Sequence, residues 1–199
     1  MDERRSFFDS SASAWDQLLE RDLRTGKLCE MVGQFGIGEG DAVLDVGTGT
    51  GVLLPLIGKA VGPRGTLVAI DFSLKMLLAA TRHDFEIRPP FFNADVAAIP
   101  FRKGSFDKVT CFSAFPHFPD KKRALAEMAR VLKKDGSLFI AHLHSIEEIA
   151  RLHRGVGGSV HQDHLPDSDM MAKLMIEAGL DCVRIENEPG RFLAQGRKD

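Results

Sequence analysis

VLDVGTGTG, residues 43–51, decides how this chain reads. An apolar run carrying one acid passes straight into glycines at alternate positions, Gly47, Gly49 and Gly51. Without Cβ atoms the backbone there turns tightly and lets a ligand approach it closely. A bare turn between a strand and a helix is where nucleotide-like ligands dock in open α/β sheets. The flanking sequence must therefore supply the sheet.

It does so by alternating strand and helix patterns. AVLDV (42–46), GTLVAID (65–71), a short piece near 91–94, FDKVTCFS (106–113) and SLFIAHLH (137–144) read as buried strands. Between them, helices are expected over 10–34, 51–62, 73–83 and 120–136, the third N-capped by Ser73 and the last ended by Gly136. Residues 146–165 read as irregular or partly helical. A further helix over 167–179 is capped near Asp167 or Ser168, and 180–198 reads as a hairpin around NEPG. The pattern implies a doubly wound, Rossmann-like, mostly parallel seven-stranded sheet, closed by a C-terminal hairpin that adds one antiparallel strand. The ligand crevice is expected at the carboxyl ends of strands one, two and four.

The 199 residues suffice for one well-buried domain. Within it, residues 1–35 form an N-terminal helical cover and 146–166 a substrate-side insertion. A formal net charge of −2 gives no global pull toward nucleic acid. Cys29, Cys111 and Cys182 are far apart and form no CxxC, which disfavours a disulfide framework and fits a cytoplasmic setting. The charged N-terminus lacks the apolar core of a signal peptide, and no apolar run reaches membrane-spanning length. Oligomeric state is not readable.

Two familiar nucleotide patterns fail. The dinucleotide fingerprint G-x-G-x-x-G would need a third small residue where Val52 or Leu54 stands. No Lys-Ser/Thr follows the glycines, as a P-loop requires; Gly58-Lys59 is followed by Ala60. VLDVGTGTG instead resembles the first motif of the class I S-adenosylmethionine-dependent methyltransferases. The likeness continues in order through VAID, NADVAAIPF, FDKVTCFSAFPHFPD and EMARVLKKDGSLFIAH. The resemblance implies S-adenosyl-L-methionine as cofactor, transfer of its methyl group, and a small-molecule acceptor. It also implies a cofactor site built from Asp45, Gly47, Thr48, Gly49, Gly51, Asp71, Phe72, Asp95, Val96 and Phe112.

Each position has a physical reason and a competing plain one. Asp45 meets the cofactor's ammonium or caps the turn. Asp71 ends strand two about 20 residues past the glycines, where an acid accepts ribose hydroxyls; a carboxylate's two acceptor oxygens suit a vicinal diol. Phe72 packs on adenine. Asp95 accepts from the adenine amino group while the Val96 backbone donates to the ring, or Asp95 caps the next turn. Met76 reads as core.

Over the methyl group two segments are expected. RRSFFDSSASAWDQ resembles the N-terminal cover of the quinone-biosynthesis (UbiE/menaquinone) group, with Phe7, Phe8 and Trp15 lining an apolar pocket or packing as ordinary core. FSAFPHFPD follows strand four. Amino-group methyltransferases often carry Asn/Asp-Pro-Pro-aromatic there, and Ser113-Ala114-Phe115-Pro116 departs from it, which disfavours adenine or amide nitrogen as acceptor. The candidate acceptors are oxygen, carbon or sulfur nucleophiles, quinol-like or thiol-like. His117 is a candidate base, poised near neutral pH, or an exposed loop histidine. His144, two residues past His142, shares its side of the fifth strand if that strand persists, and is the second candidate. The histidines at 142–164 with Asp163 match no standard zinc spacing, so no metal is expected. GVGG at 155–158 reads as a lid element or a simple turn. A cofactor-binding protein without activity and a nicotinamide-dependent oxidoreductase remain as alternative readings.

Overall fold

The computed structural model describes residues 3–12, 26–86, 88–155 and 160–199. In chain order these form α1 (3–12), α2 (Lys27–Gln34), β1 (Ala42–Val46), α3 (Leu54–Val61), β2 (Thr66–Asp71), α4 (Leu74–Ala80) and β3 (Phe91–Asn93). There follow β4 (Phe106–Phe112), α5 (Lys121–Val131), β5 (Leu132–His142), α6 (Ile146–Gly155), α7 (Ser168–Glu177), β6 (Leu180–Glu188) and β7 (Arg191–Lys198). Single 3₁₀ turns lie at Val96–Ala98 and Phe115–His117.

The seven strands are ordered β3-β2-β1-β4-β5-β7-β6. β1 through β5 pair in parallel, while β7 runs antiparallel between β5 and β6. The hairpin thus adds one antiparallel strand, as the NEPG turn predicts. Parallel strands covered on both faces read as near-continuous apolar runs, and β1 and β2 are buried along almost their whole length. Alternate residues go to opposite layers. Leu44, Val46, Val68 and Ile70 pack with Leu125 and Met128 of α5 and with Met171 and Met175 of α7. Val43, Leu67 and Ala69 pack with Met31 of α2 and Leu54 and Ile57 of α3. A third cluster, Phe8, Ala12, Met76 and Val160, lies where α1 meets α4.

Several boundaries differ from expectation. The helix expected over 10–34 begins by residue 3, and a separate helix starts at Lys27 behind Gly26, whose φ of 73° is left-handed. Trp15 and residues 13–25 lie outside the described residues, as do Gly157 and Gly158 of the GVGG segment. The helix expected over 51–62 starts at Leu54, since Gly51 first closes a tight turn whose carbonyl accepts from the Leu54 amide. The helix over 120–136 stops at Val131. Leu132 already pairs with Phe106, and Ser137 with Lys108, so residues 133–136 bulge out around Asp135 at φ 63°. β5 ends at His142, so His144 lies beyond it. Residues 146–155, read as irregular or partly helical, form α6. Its start is a capping box: the Ser145 amide donates to Glu148 Oε2 at 2.7 Å, and the Glu148 amide to Ser145 Oγ at 3.2 Å.

Candidate active site

The glycine turn sits at the carboxyl end of β1, stitched to β2 by the amides of Gly47 and Thr48, which both donate to the Ile70 carbonyl. All three glycines have left-handed φ, but they face different things. A Cβ on Gly47 would stand 2.5 Å from Ala114 Cβ, so this position lets the loop after β4 close against the turn. A Cβ on Gly51 would meet Ala80 of α4 at 2.9 Å. At Gly49 nothing lies within 4 Å; bare backbone faces open space.

That space opens into a cavity with about 950 Å³ of empty space, part of it solvent at its open mouth. Gly47, Thr48, Gly49, Asp71 and Phe72 line part of it. Asp95, Val96, Phe112 and His117 line the rest, with Phe8 and Arg4 reaching in from α1. Met76, read as core, is 2% exposed and also forms part of the wall. Asp45, Gly51 and His144 are not on the wall. Gly51 instead permits close packing of the turn on α4. His144 follows the end of β5 and is set back from the cavity.

Two buried carboxylates support the turn. Asp71 Oδ2 accepts from the Gly49 amide and Oδ1 from the Ser73 amide, both at 2.8 Å. Burial raises its pKa to about 6 despite these bonds, with the charges of Asp45 and Asp9 adding to the effect. Asp45 accepts from Thr110 Oγ1 at 2.7 Å, and burial raises its pKa also to about 6, partly offset by the hydroxyls of Thr48 and Thr110. Ser73 caps α4 as expected, accepting from the Met76 amide, and its hydroxyl donates to Asp9 of α1 at 2.5 Å. Asp95 accepts from the Ala97 amide at 2.8 Å, so it caps the following turn while also facing the cavity.

The turn after β4 holds His117 with its side chain 10% exposed. Its ring lies edge-on to Phe8, with centroids 5.0 Å apart, and Phe8 meets Phe72 at 5.7 Å. Asp163 Oδ2 stands 2.8 Å from His117 Nδ1, and Arg4 Nη2 donates to Asp163 Oδ1 at 2.6 Å. Burial lowers the His117 pKa below its ordinary value, and the nearby carboxylate only partly offsets this. His142 is more extreme: burial takes its pKa down to about 3, and its Nε2 has no hydrogen-bond partner among the described residues. Sequence reasoning missed Arg4 and His153 as neighbours of this site and weighed Asp163 only as a metal ligand. The described residues contain no cluster of three or more His, Cys, Asp or Glu side chains arranged to hold a metal.

The doubly wound sheet, the glycine turn facing open space and the acid at the end of β2 match the pattern of the class I S-adenosylmethionine-dependent methyltransferases, and the chain is similar to proteins of that class. Residues 44–140 match the family described as Methyltransferase domain. The ubiquinone/menaquinone biosynthesis C-methyltransferase UbiE of Hahella chejuensis is 33% identical over 142 residues, covering 67% of this chain and 56% of that protein. The chain thus spans little more than half the length of that relative. UbiE of Burkholderia cenocepacia is 28% identical over 94% of this chain and 88% of its own. A Haloferax volcanii protein solved in complex with the Trm112 methyltransferase activator has the same fold, with a TM-score of 0.78 over 96% of both chains at 21% identity.

S-adenosylmethionine is the cofactor of this class, and the residues present fit it. The bare Gly49 backbone leaves room for the ligand at the turn. Asp71, a carboxylate on the cavity wall, can accept further hydrogen bonds from a ligand's hydroxyls beside the two amides it already holds. No helix among the described residues is long and apolar enough to cross a membrane.

Proposed function

We propose that this chain, in a cytoplasmic setting, transfers a methyl group to a small-molecule acceptor through an oxygen, carbon or sulfur nucleophile, and that His117 accepts the nucleophile's proton. The observation that carries the reading is a largely enclosed imidazole, its side chain 10% exposed, on the wall of the same cavity as the glycine turn and edge-on to Phe8. When bound, the cofactor supplies an electrophilic methyl on a sulfonium sulfur, which keeps the bonding electron pair as the methyl leaves. Everything else falls to the protein. Asp71 accepts from the ribose diol, Phe72 packs on adenine, and Asp95 and the Val96 backbone meet its edge. Thr48, Gly49 and Phe112 border the methionine part, with Asp45 behind the turn. Aromatic walls hold an apolar acceptor in line and exclude water, and such positioning supplies most of the acceleration.

His117 is neutral at physiological pH because burial lowers its pKa. It can take a proton from a phenol, quinol or thiol as the new bond forms. In a quinol, loss of a hydroxyl proton pushes electron density onto the adjacent ring carbon; after carbon methylation that carbon's hydrogen leaves as a proton while the oxygen regains one, so the net loss is a single proton on either route and one base serves oxygen or carbon methylation. The likeness to UbiE favours the quinol-type carbon acceptor. Residues 1–35 then act as the cover and 146–166 as the substrate-side insertion of one domain. His144, set back from the wall, is the weaker candidate. The test is turnover on a panel of quinols, phenols, thiols and small carboxylic acids with S-adenosylmethionine as donor. The expected result is methylated product in the parent and loss of turnover in His117→Ala with S-adenosylhomocysteine binding retained. No product from any acceptor, despite cofactor binding, would leave a binding protein without activity.

A further inference from the structure

Asp163 is buried and gathers groups from separate elements onto one carboxylate and one carbonyl. Arg4 of α1 donates to its Oδ1 at 2.6 Å, His117 Nδ1 lies 2.8 Å from its Oδ2, and His153 Nδ1 of α6 lies 2.6 Å from its backbone oxygen. Lys121 of α5 brackets the same turn, donating to the carbonyls of Pro116 and Phe118. Burial works against ionisation of Asp163, but its bonds from His117 and Arg4 outweigh it and hold the carboxyl below its ordinary pKa. An ionised carboxylate only accepts, so its partner nitrogen on His117 carries the proton.

We infer that Asp163 is a positioning residue: it fixes His117 with the proton on Nδ1 and the Nε2 lone pair available to the acceptor, and it does so with α1 seated. The inference rests on His117 being the base. The link to α1 follows from burial. The Asp163 side chain is 1% exposed, and a buried charge that loses a partner is strongly disfavoured. Arg4 occupies one carboxylate oxygen and His117 the other, so ionised Asp163 and a docked α1 require each other. Asp9, taking the Ser73 hydroxyl bond, and Phe8, stacked edge-on to His117, seat the same helix. Binding the acceptor under α1 and setting the tautomer of the base are therefore one event. The charged and titratable groups facing His117 are Asp163, Arg4 and His153, with His142 of β5 and Lys121 of α5 further out.

The test is imidazole nitrogen spectroscopy on the full chain, labelled with ¹⁵N-histidine and bound to S-adenosylhomocysteine, across pH. Absence of one signal set in His117→Gln assigns the ring. The parent should show neutral His117 protonated on Nδ1. D163N should shift population to the Nε2-protonated tautomer and lower the titration midpoint, because the carboxylate that favours the imidazolium is gone. Arg4→Met should raise the midpoint, because a nearby cation is gone, and reduce the Nδ1-protonated share, because Asp163 loses the partner that ties it to α1. In turnover, D163N should lose about 10- to 100-fold in kcat, a fraction of what a general base contributes, with KM for S-adenosylmethionine unchanged; D163E should recover part of it. A parent ring protonated on Nε2 overturns the inference without any variant. So does D163N with parental tautomer and midpoint, and an unmoved tautomer share in Arg4→Met removes the link to α1. Parental turnover in His117→Gln would overturn the base itself, whatever the spectra show.

Discussion

Replacing Asp71 by Asn separates the bracing of the glycine turn, which the structure shows, from the proposed acceptance of the ribose hydroxyls. The carboxylate accepts the Gly49 and Ser73 amides, and it is buried enough for its pKa to stand at about 6 against 3.8 for an unperturbed group. That gap corresponds to roughly 3 kcal/mol of preference for the protonated form in the folded state. The sign follows from linkage. Because the folded pKa is raised, the stability contributed by protonation is fully present below pH 3.8 and is lost as pH rises through about 6. Of the total, about 1.4 kcal/mol is regained between pH 7 and pH 5. Asn has no such titration. It keeps one acceptor oxygen and turns an amide group toward the other N–H, leaving a buried donor unmatched at a cost of about 1–3 kcal/mol. At pH 7 this loss and the relief from the buried charge nearly cancel, so the variant should unfold close to the parent. At pH 5 it should fall behind by about 1.4 kcal/mol more than at pH 7. Denaturant midpoints of parent and variant, taken as a difference at each pH, isolate this group together with its coupling to Asp45 and Asp9. In parallel, S-adenosylhomocysteine should bind about ten- to a hundredfold more weakly at neutral pH, from lost bonds to a charged acceptor worth about 1.5–3 kcal/mol. A stability difference that stays constant from pH 7 to 5, or that grows as pH rises, would refute the raised pKa. Unchanged affinity would put the ribose elsewhere.

Gly47→Ala and Gly49→Ala should differ although both φ values are left-handed. The first drives a methyl against Ala114 and should unfold the domain or lower its denaturation midpoint sharply; the second meets nothing and should cost about 1–2 kcal/mol of backbone strain. Gly49→Ala should instead show its effect as weakened cofactor binding in calorimetry. With the His117 pKa lowered by burial, turnover should be flat through neutral pH and fall in acid, below the ordinary histidine value of 6.5; a profile that still rises above pH 8 would point to a different base. Calorimetric titration should give micromolar binding of S-adenosylmethionine and no preference for a nicotinamide dinucleotide, and a preference for the latter would contradict the assignment of the cavity. Turnover should be insensitive to chelator, and recovery with a divalent ion after chelation would require ligands outside the described residues.

The two halves of the cavity were unequally readable for a physical reason. The cofactor half is written in short, local runs. A strand that is apolar throughout, a glycine turn and an acid ending the next strand are each fixed by backbone geometry. Their order along the chain is the order in which a parallel sheet presents its strand ends. Even there spacing has limits. Gly47, Gly49 and Gly51 alternate identically in sequence, yet one admits the loop after β4, one faces the cavity and one accommodates α4. A glycine signals only that a Cβ has no place, not what occupies it. The capping box Ser145–Glu148 was readable and marks the start of a helix that the apolar pattern alone left indistinct. The acceptor half is assembled across distance. Arg4 meets Asp163 at a separation of 159 residues, and His117 meets it at 46. No periodicity relates such positions, and a cluster of histidines near one aspartate reads as naturally as a metal site or a solvated surface. What distinguishes the arrangement is burial: a carboxylate shut away from water must find its partners. Asp163 takes them from a helix before the glycine turn and from the turn after β4. Those are the two segments that the sequence assigned to the methyl-facing side on independent grounds. The convergence of a charged, buried hub on those segments ties the acceptor chemistry to the docking of α1, and makes Asp163 the first side chain to change when the two are to be separated.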